Sequence, residues 1–376
     1  MVTSRENHRE RWNKVLNFEP VDRIPVTEMG YWDETLERWR LEGMPPQLEY
    51  RLGRLGYDDD LAQFLGLDFS WHANRVQCNL IDPDPPFEEK ILEDEGETLI
   101  VTDKHGAVCR QNKNMRSVPQ FIKFAVENRV DFLKIKQRYW PDSPVRYPPH
   151  WPDYVIKTKN REYPIVAEIN GWFGTLRNWI GLENLCYAYF EQAAWIEEMS
   201  EFWTDYLISA ATRLFDEVDL DLLCIWEDMS YKSGPLISPV FFRRFMTPHY
   251  RRFTDFAASK GIRSIFVDSD GNNHELIPLL KEGGVNGIFP LEMAAGNELL
   301  VLRREHPDFV FMGGVDKREI AKGRAAIDAE LRKVGKLAEA GGFVPFIDHH
   351  VPPDISLADF RYYVSQKRKI LSGVSI

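Results

Sequence analysis

Acidic and imidazole side chains recur in this chain directly after short apolar runs. Thr27-Glu28-Met29-Gly30-Tyr31-Trp32 follows the run Asp22 to Val26, and Glu168-Ile169-Asn170 closes the run that begins at Tyr163. Glu227-Asp228 follows Leu222 to Trp226, and Asp268-Ser269-Asp270-Gly271 follows Ile262 to Val267. Glu292 lies beyond Val285 to Phe289, Gly313-Gly-Val-Asp316 beyond Phe309 to Met312, and Asp348-His349-His350 beyond Phe343 to Ile347. A single acid at a strand end is often only the N-cap of the next helix. Asp316 fits that reading, as does Asp354 or Ser356 ahead of the last helix, and His349 fits a satisfied core histidine. So many strand ends carrying such groups point further. Carboxylates gathered in a pocket cannot all stay ionised unless a cation or protons balance them. The pattern therefore predicts a bound metal ion, a cationic substrate group, or a raised carboxyl pKa. Carboxylates with histidine suit zinc or another divalent ion.

These groups need elements to hold them. Residues 4–17 read as a helix with Ser4 as a possible cap, and Asp22 to Val26 as a short first strand. Pro45-Pro46 breaks residues 33–65 into two helical pieces, and residues 75–125 read as hairpins, with Thr98 to Thr102 β-prone and Asp103 to Gly106 a turn. Residues 138–164 are rich in Pro, Trp and Tyr and predict a long ordered loop or a lid. The second half alternates regularly. Apolar strands at 163–168, 222–226, 262–267, 285–289, 309–312 and 343–347 are separated by helices at 194–216, 240–259, 273–282 and 296–305 and by one long helix or two short ones over 317–340, and a last helix follows at 356–372. Pro248 bends or splits the second of these helices. Near-continuous apolar strands between amphipathic helices imply a parallel sheet covered on both faces. With two units at the start, the expectation is a single-domain (β/α)8 TIM barrel spanning 1–376, whose active site lies at the strand C-termini. A doubly wound sheet is the alternative, weakened because no Gly-rich dinucleotide fingerprint follows any strand.

Composition narrows the partners. The formal net charge of -11 argues against nucleic acid or an anionic membrane as the main partner. Cys78, Cys109, Cys186 and Cys224 form no CxxC pair and no disulfide framework, which favours a reducing compartment. No signal peptide and no long apolar span is readable, so the expected location is cytoplasmic.

Several segments together resemble the uroporphyrinogen decarboxylase superfamily, which includes cobalamin-dependent methyltransferases. They are Asn7 to Trp12 with Pro20 to Val26, Glu227 to Pro239, Phe245 to Tyr250, Asp268 to Asn272, Gly313 to Asp316 and Asp348 to Asp354. The resemblance implies the barrel and a funnel-shaped site. Decarboxylases of the superfamily carry Arg-Gln-Ala-Gly-Arg where this chain has Thr27-Glu28-Met29-Gly30-Tyr31. Arginines there would hold a substrate with many carboxylates. Their replacement by an acid and a phenol speaks against a porphyrinogen, and only His350 matches a late histidine of those enzymes. The methyltransferase branch carries a zinc-binding His-x-Cys-Gly and a late Cys. The matching positions are Asp268, Asp270 and His350, so spacing is kept and ligand softness is not.

The first hypothesis is a methyltransferase that moves a methyl group from a small methylated, possibly methoxyaromatic, compound to a corrinoid on a partner protein. Asp268, Asp270, Glu292 and His350 would gather a divalent metal, zinc first among candidates, to stabilise the departing oxygen. Glu227, Asp228 and His350 are the expected catalytic groups. Glu28, Tyr31, Trp32, Glu168, Asn170, Trp172 and Lys232 are the expected substrate contacts. A homodimer is compatible. The alternative is a metal-free lyase that decarboxylates a small acid and uses partly protonated carboxyls as proton donors. A non-catalytic binder that kept the fold is the third.

Overall fold

The computed structural model describes residues 6–50, 60–113 and 119–374. Four strands come first: β1 (Lys90–Asp94), β2 (Thr98–Thr102), β3 (Val108–Asn112) and β4 (Gln120–Lys123). They pair antiparallel in sequential order, as the hairpin reading expected. The main sheet is parallel. It comprises β5 (Val166–Asn170), β6 (Leu222–Trp226), β9 (Ile265–Asp268), β10 (Gly287–Leu291), β11 (Val310–Val315) and β12 (Phe343–Ile347). Their order is β12-β11-β10-β9-β6-β5. A short hairpin, β7 (Ser230–Tyr231) with β8 (Gly234–Pro235), follows β6. The six parallel strands are apolar almost without interruption because helices cover them, and they are buried along nearly their whole length.

Two extended segments lie at the free edges of this sheet. At the β5 edge, Val166 N–H donates to Asn74 O at 3.0 Å and Val76 N–H to Val166 O at 2.9 Å. Beyond β12, Val351 N–H donates to Gly30 O at 2.9 Å. The segments touch each other through Asp68 N–H to Val26 O at 2.8 Å and Thr27 Oγ1 to Phe69 O at 2.6 Å. The expected strand from Asp22 to Val26 is not part of a ladder. Pro20 and Pro25 lack N–H donors, and side chains take the neighbouring ones: Val26 N–H goes to Asp68 Oδ2 at 2.8 Å.

Identifiable residues set where the helices begin and break. The first helix is His8–Leu16, closed by a capping box in which Asn7 and Glu10 each accept the other's backbone N–H. Ser4, the expected cap, lies outside the described residues. Of the bend or split expected at Pro248 the split is present, with the proline in the first turn of a new helix, giving Pro239–Phe245 and Thr247–Ser259. Of the one or two helices expected over 317–340 there are two, Lys317–Ile320 and Arg324–Ala338, parted just before Arg324 by Gly323 at φ 90°. Asp316 and Ser356 are N-caps, as read.

The Pro- and aromatic-rich stretch is ordered and contains a helix, Trp151–Thr158. Tyr147 hydroxyl donates to Ala210 O and Trp151 Nε1 to Glu217, both on the helix Ala193–Glu217 that leads into β6. The stretch therefore sits toward the strand N-termini. The lid expectation is corrected, because these aromatics are used as packing. One hydrophobic cluster runs from Trp12 to Leu371. Among the described residues no helix is long and apolar enough to cross a membrane.

Candidate active site

The parallel strands end in a bowl of charged side chains, most of them already matched. On β5, Glu168 forms a two-point ion pair with Arg75, at 2.8 Å to Nη1 and 2.6 Å to Nη2. His72 Nε2 stands 3.7 Å from the same carboxylate. Burial opposes the Glu168 charge, yet His72 and Arg75 hold it below the ordinary carboxylate range. Burial and Arg75 in turn keep His72 neutral. After β6, Asp228 adopts φ 47°, a strained conformation for a non-glycine residue. Arg177 enforces it by donating to both the Asp228 carbonyl at 2.7 Å and Oδ2 at 2.9 Å.

Beyond β9 the balance changes. Asp268 faces Glu168, Asp270 and Asp228, and burial together with those carboxylates pushes its pKa well above the ordinary value. Among the described residues no donor reaches its carboxylate. Asp270 is pushed up to about 7 by burial and by Glu292 and Asp228, while its side chain stays 42% exposed. Glu292 accepts from Gly271 N–H at 3.1 Å and Lys317 Nζ at 3.2 Å. Asp348, fully buried, accepts from Met293 N–H and Lys317 N–H, and burial raises it to about 6. A cavity of about 350 Å³ opens beside Asp270, lined also by Asp228, Ser230, Tyr231, Lys232 and Glu292.

An aromatic wall stands at the β12 end. Trp32, 41% exposed, stacks on His349 at 5.6 Å and meets the edge of His350 at 5.1 Å. His349 Nε2 lies 3.6 Å from Asp270 Oδ1. Burial, helped by His349 and His72, lowers His350 to about 3, so its ring is neutral.

The structure sorts the expected residues. Trp32, Glu168, Asn170, Asp228, Lys232, Asp268, Asp270, Glu292 and His350 lie at or beside the strand C-termini. Glu227 does not face the bowl. It is fully buried and accepts from Trp172 N–H at 3.0 Å, Gly174 N–H at 2.7 Å and Tyr250 hydroxyl at 2.6 Å. It holds the N-terminus of the helix Trp172–Ile180 in place of a local cap. Trp172 is core: its Nε1 donates to Thr204 and its ring packs on Tyr250. Glu28 is a buried partner of Lys367 Nζ at 2.7 Å and Tyr363 hydroxyl at 2.9 Å. Tyr31 packs among Trp39, Tyr50 and Phe360.

Among the described residues no three His, Cys, Asp or Glu side chains are grouped to hold a metal ion. The Glu292 oxygens are engaged by Gly271 and Lys317, and His350 lies near the Arg75 and Lys317 charges, which repel cations. Asp268, Asp270, Glu292 and His350 as arranged do not fit a divalent ion. Arg75, His72, Arg177 and Lys317 are site residues that sequence reasoning missed. Arg75 falls at the start of a segment read as hairpins, and His72 lies just before it. Arg177 and Lys317 lie inside helices, with only their closeness to a strand end as a signal.

The sequence model for the family described as uroporphyrinogen decarboxylase (URO-D) matches residues 127–370. Among solved structures, a methyltransferase from Methanosarcina mazei superposes with a TM-score of 0.58 and 16% identity, covering 97% of this chain and 99% of its own. That likeness is one of fold. A putative vitamin-B12 independent methionine synthase from Listeria monocytogenes reaches a TM-score of only 0.33 at 12% identity, over 61% of this chain and 72% of its own, too loose to argue from. No curated protein sequence matches. The family match covers well over half the chain, and this protein belongs to the uroporphyrinogen decarboxylase (URO-D) family.

Proposed function

We propose that this protein is a methyltransferase that takes a methyl group from the oxygen of a small methoxyaromatic compound and passes it to a corrinoid carried by a partner protein. In this reading the two edge segments complete a single-domain (β/α)8 barrel around the bowl. One observation carries the proposal: Asp270, held up to about 7, faces a cavity beside an exposed aromatic wall. A carboxyl that keeps its proton near neutrality can act as a general acid. The corrinoid, when bound, supplies the nucleophile that accepts the methyl group. Trp32 and His349 hold the flat ring. As the methyl–oxygen bond breaks, the Asp270 carboxyl gives its proton to the departing oxygen, which leaves as the phenol. Asp228, fixed by Arg177, and Glu292, fixed by Lys317, keep Asp270 protonated between turnovers by their negative charge. No metal step enters, because the carboxylates are not arranged for one.

A proton donor of this kind would equally serve decarboxylation, so the cations decide. Arg75, Arg177 and Lys317 are each matched by a carboxylate, and Lys232 alone of the cavity's cations has no such partner among the described residues, against Asp228, Asp268, Asp270 and Glu292, a balance unfavourable to a substrate with several carboxylates. The M. mazei methyltransferase lends support through shared fold over nearly the whole chain. The test is a panel of methoxyarenes incubated with the protein and reduced cobalamin. Methylcobalamin and the matching phenol should appear together. Release of CO2 from small carboxylic acids, with no methylated product from the panel, would replace this reading with the lyase.

A further inference from the structure

We infer that Asn297 is a positioning residue for the reaction at Asp270: its buried side-chain amide ties the loop that carries Asp270 to the loop that carries Glu292. The inference rests on the methyl-transfer reading of that site and adds a residue that does not itself line the cavity. Two loops supply one wall of the cavity. Asp270 and Gly271 follow β9, and Glu292, Ala294 and Ala295 follow β10. Backbone pairing between these strands stops at Ser269 N–H to Phe289 O, 2.9 Å apart. Pro290 has no N–H with which to extend it. Beyond that point side chains must hold the loops together.

Asn297, on the second loop, uses both polar atoms of its side chain for this. Its Nδ2 donates to Glu292 O of its own loop at 2.9 Å and crosses to Gly271 O at 2.8 Å. Its Oδ1 accepts from Asn273 N–H at 3.1 Å. The residue is only 1% exposed, so water does not compete for these bonds. An amide is the side chain that offers two donors and an acceptor in one plane. An aspartate would turn an acceptor toward both carbonyls. Two other ties run beside it: Asn272 Nδ2 donates to Ala295 O at 3.0 Å, and Gly271 N–H to the Glu292 carboxylate at 3.1 Å.

Asp270 depends on this bridge because its own carboxyl has no anchor. It accepts no hydrogen bond among the described residues, and His349 stands 3.6 Å away. Its place beside the cavity is therefore inherited from its backbone. The next residue, Gly271, is held at both polar atoms, its carbonyl by Asn297 and its N–H by Glu292. A general acid must stand within hydrogen-bond reach of the departing oxygen. A displacement of about 1 Å can cost about 10²-fold in rate. Trp32 and His349, which hold the ring in this reading, lie on other segments. Loss of the bridge should slow the chemical step and leave substrate binding as it was.

The test compares methyl transfer from a methoxyarene to reduced cobalamin by the natural chain, Asn297→Ala, Asp270→Asn and the double variant. Asn297→Ala should lower kcat at least about tenfold and keep KM for the methoxyarene within about twofold. In the Asp270→Asn background the same change should lower the rate by less than about twofold, because Asn297 acts through Asp270. Equal losses in both backgrounds, or a raised KM at unchanged kcat, would overturn the inference. Asn272→Ala removes a parallel tie at a half-buried position and should lower kcat by a smaller factor, which keeps the test open if Asn297→Ala does not fold; an unchanged kcat there would count against the bridge. Amide hydrogen exchange at Gly271, read without substrate, separates this inference from the reaction it serves. Asn297→Ala should speed that exchange at least about tenfold while the β9 amides keep their rates. Unchanged exchange would overturn the bridge even where methyl transfer is found. Faster exchange in a chain that transfers no methyl group would leave the bridge standing and overturn only the reaction.

Discussion

Asp270 and Glu227 are two carboxyls that both titrate near neutrality, and their surroundings separate their roles. Asp270 keeps part of its surface toward a cavity, with Glu292 and Asp228 raising its pKa to about 7 together with burial. Asp270→Asn should lower methyl transfer by about 10²-fold or more, with little change in Tm. Glu227 is also raised to about 7, but burial is the cause and hydrogen bonds from Tyr250, Gly174 and Trp172 oppose it. It has no route to substrate, so its titration belongs to stability. In the unfolded chain Glu227 releases its proton near 4.5, while the folded chain holds it until about 7. The stability it contributes is therefore complete below pH 4.5 and is lost as pH rises to about 7, by about 3 kcal/mol. Chemical denaturation of Glu227→Gln across that window should show this slope removed. A slope equal to that of the natural chain would place the buried titration elsewhere.

At the scale of elements, the bowl depends on how the helix Trp172–Ile180 meets the end of β6. Glu227 draws in the helix N-terminus, and Arg177, on the second turn, reaches back to Asp228 and lies over the Trp226 ring at 5.0 Å. Gly171 permits the approach, since a Cβ there would stand 2.1 Å from Glu227 Oε1. Gly171→Ala should cost on the order of 2 kcal/mol in denaturation and should lower turnover through displaced Asp228. The parallel strands were legible because burial on both faces demands continuous apolar runs, as in Leu222–Trp226 and Phe343–Ile347. The first strand was misread because its pairing is replaced by side chains such as Asp68, which no periodicity reveals. Acids at strand ends were legible as a group, but their individual roles were not. Whether Glu227 faces a helix end or a cavity depends on Gly171 and Tyr250, which lie distant in sequence.

At the scale of the molecule, the last helix closes on the first segment. Lys367 Nζ donates to Thr27 O at 2.8 Å and to Glu28 at 2.7 Å, both carboxylate and ammonium being almost fully buried. Lys367→Met should cost about 3–5 kcal/mol because it strands the Glu28 charge, and adding Glu28→Gln should recover part of that loss in a double-mutant cycle. The sequence led to a substrate reading of Glu28 because only the full chain brings residue 367 beside it. The same long-range closure stacks Trp32 on His349 and sets His349 3.6 Å from Asp270 at the edge of the cavity, and the methyl-transfer account rests on that meeting. The most direct test is the rate of methyl transfer from a methoxyarene to reduced cobalamin, measured against pH for the natural chain and for Asp270→Asn. The account predicts a rate that falls as pH rises through about 7 in the natural chain, and a low rate without that fall in the variant. Equal rates in the two proteins, or no methylated corrinoid at any pH, would contradict it.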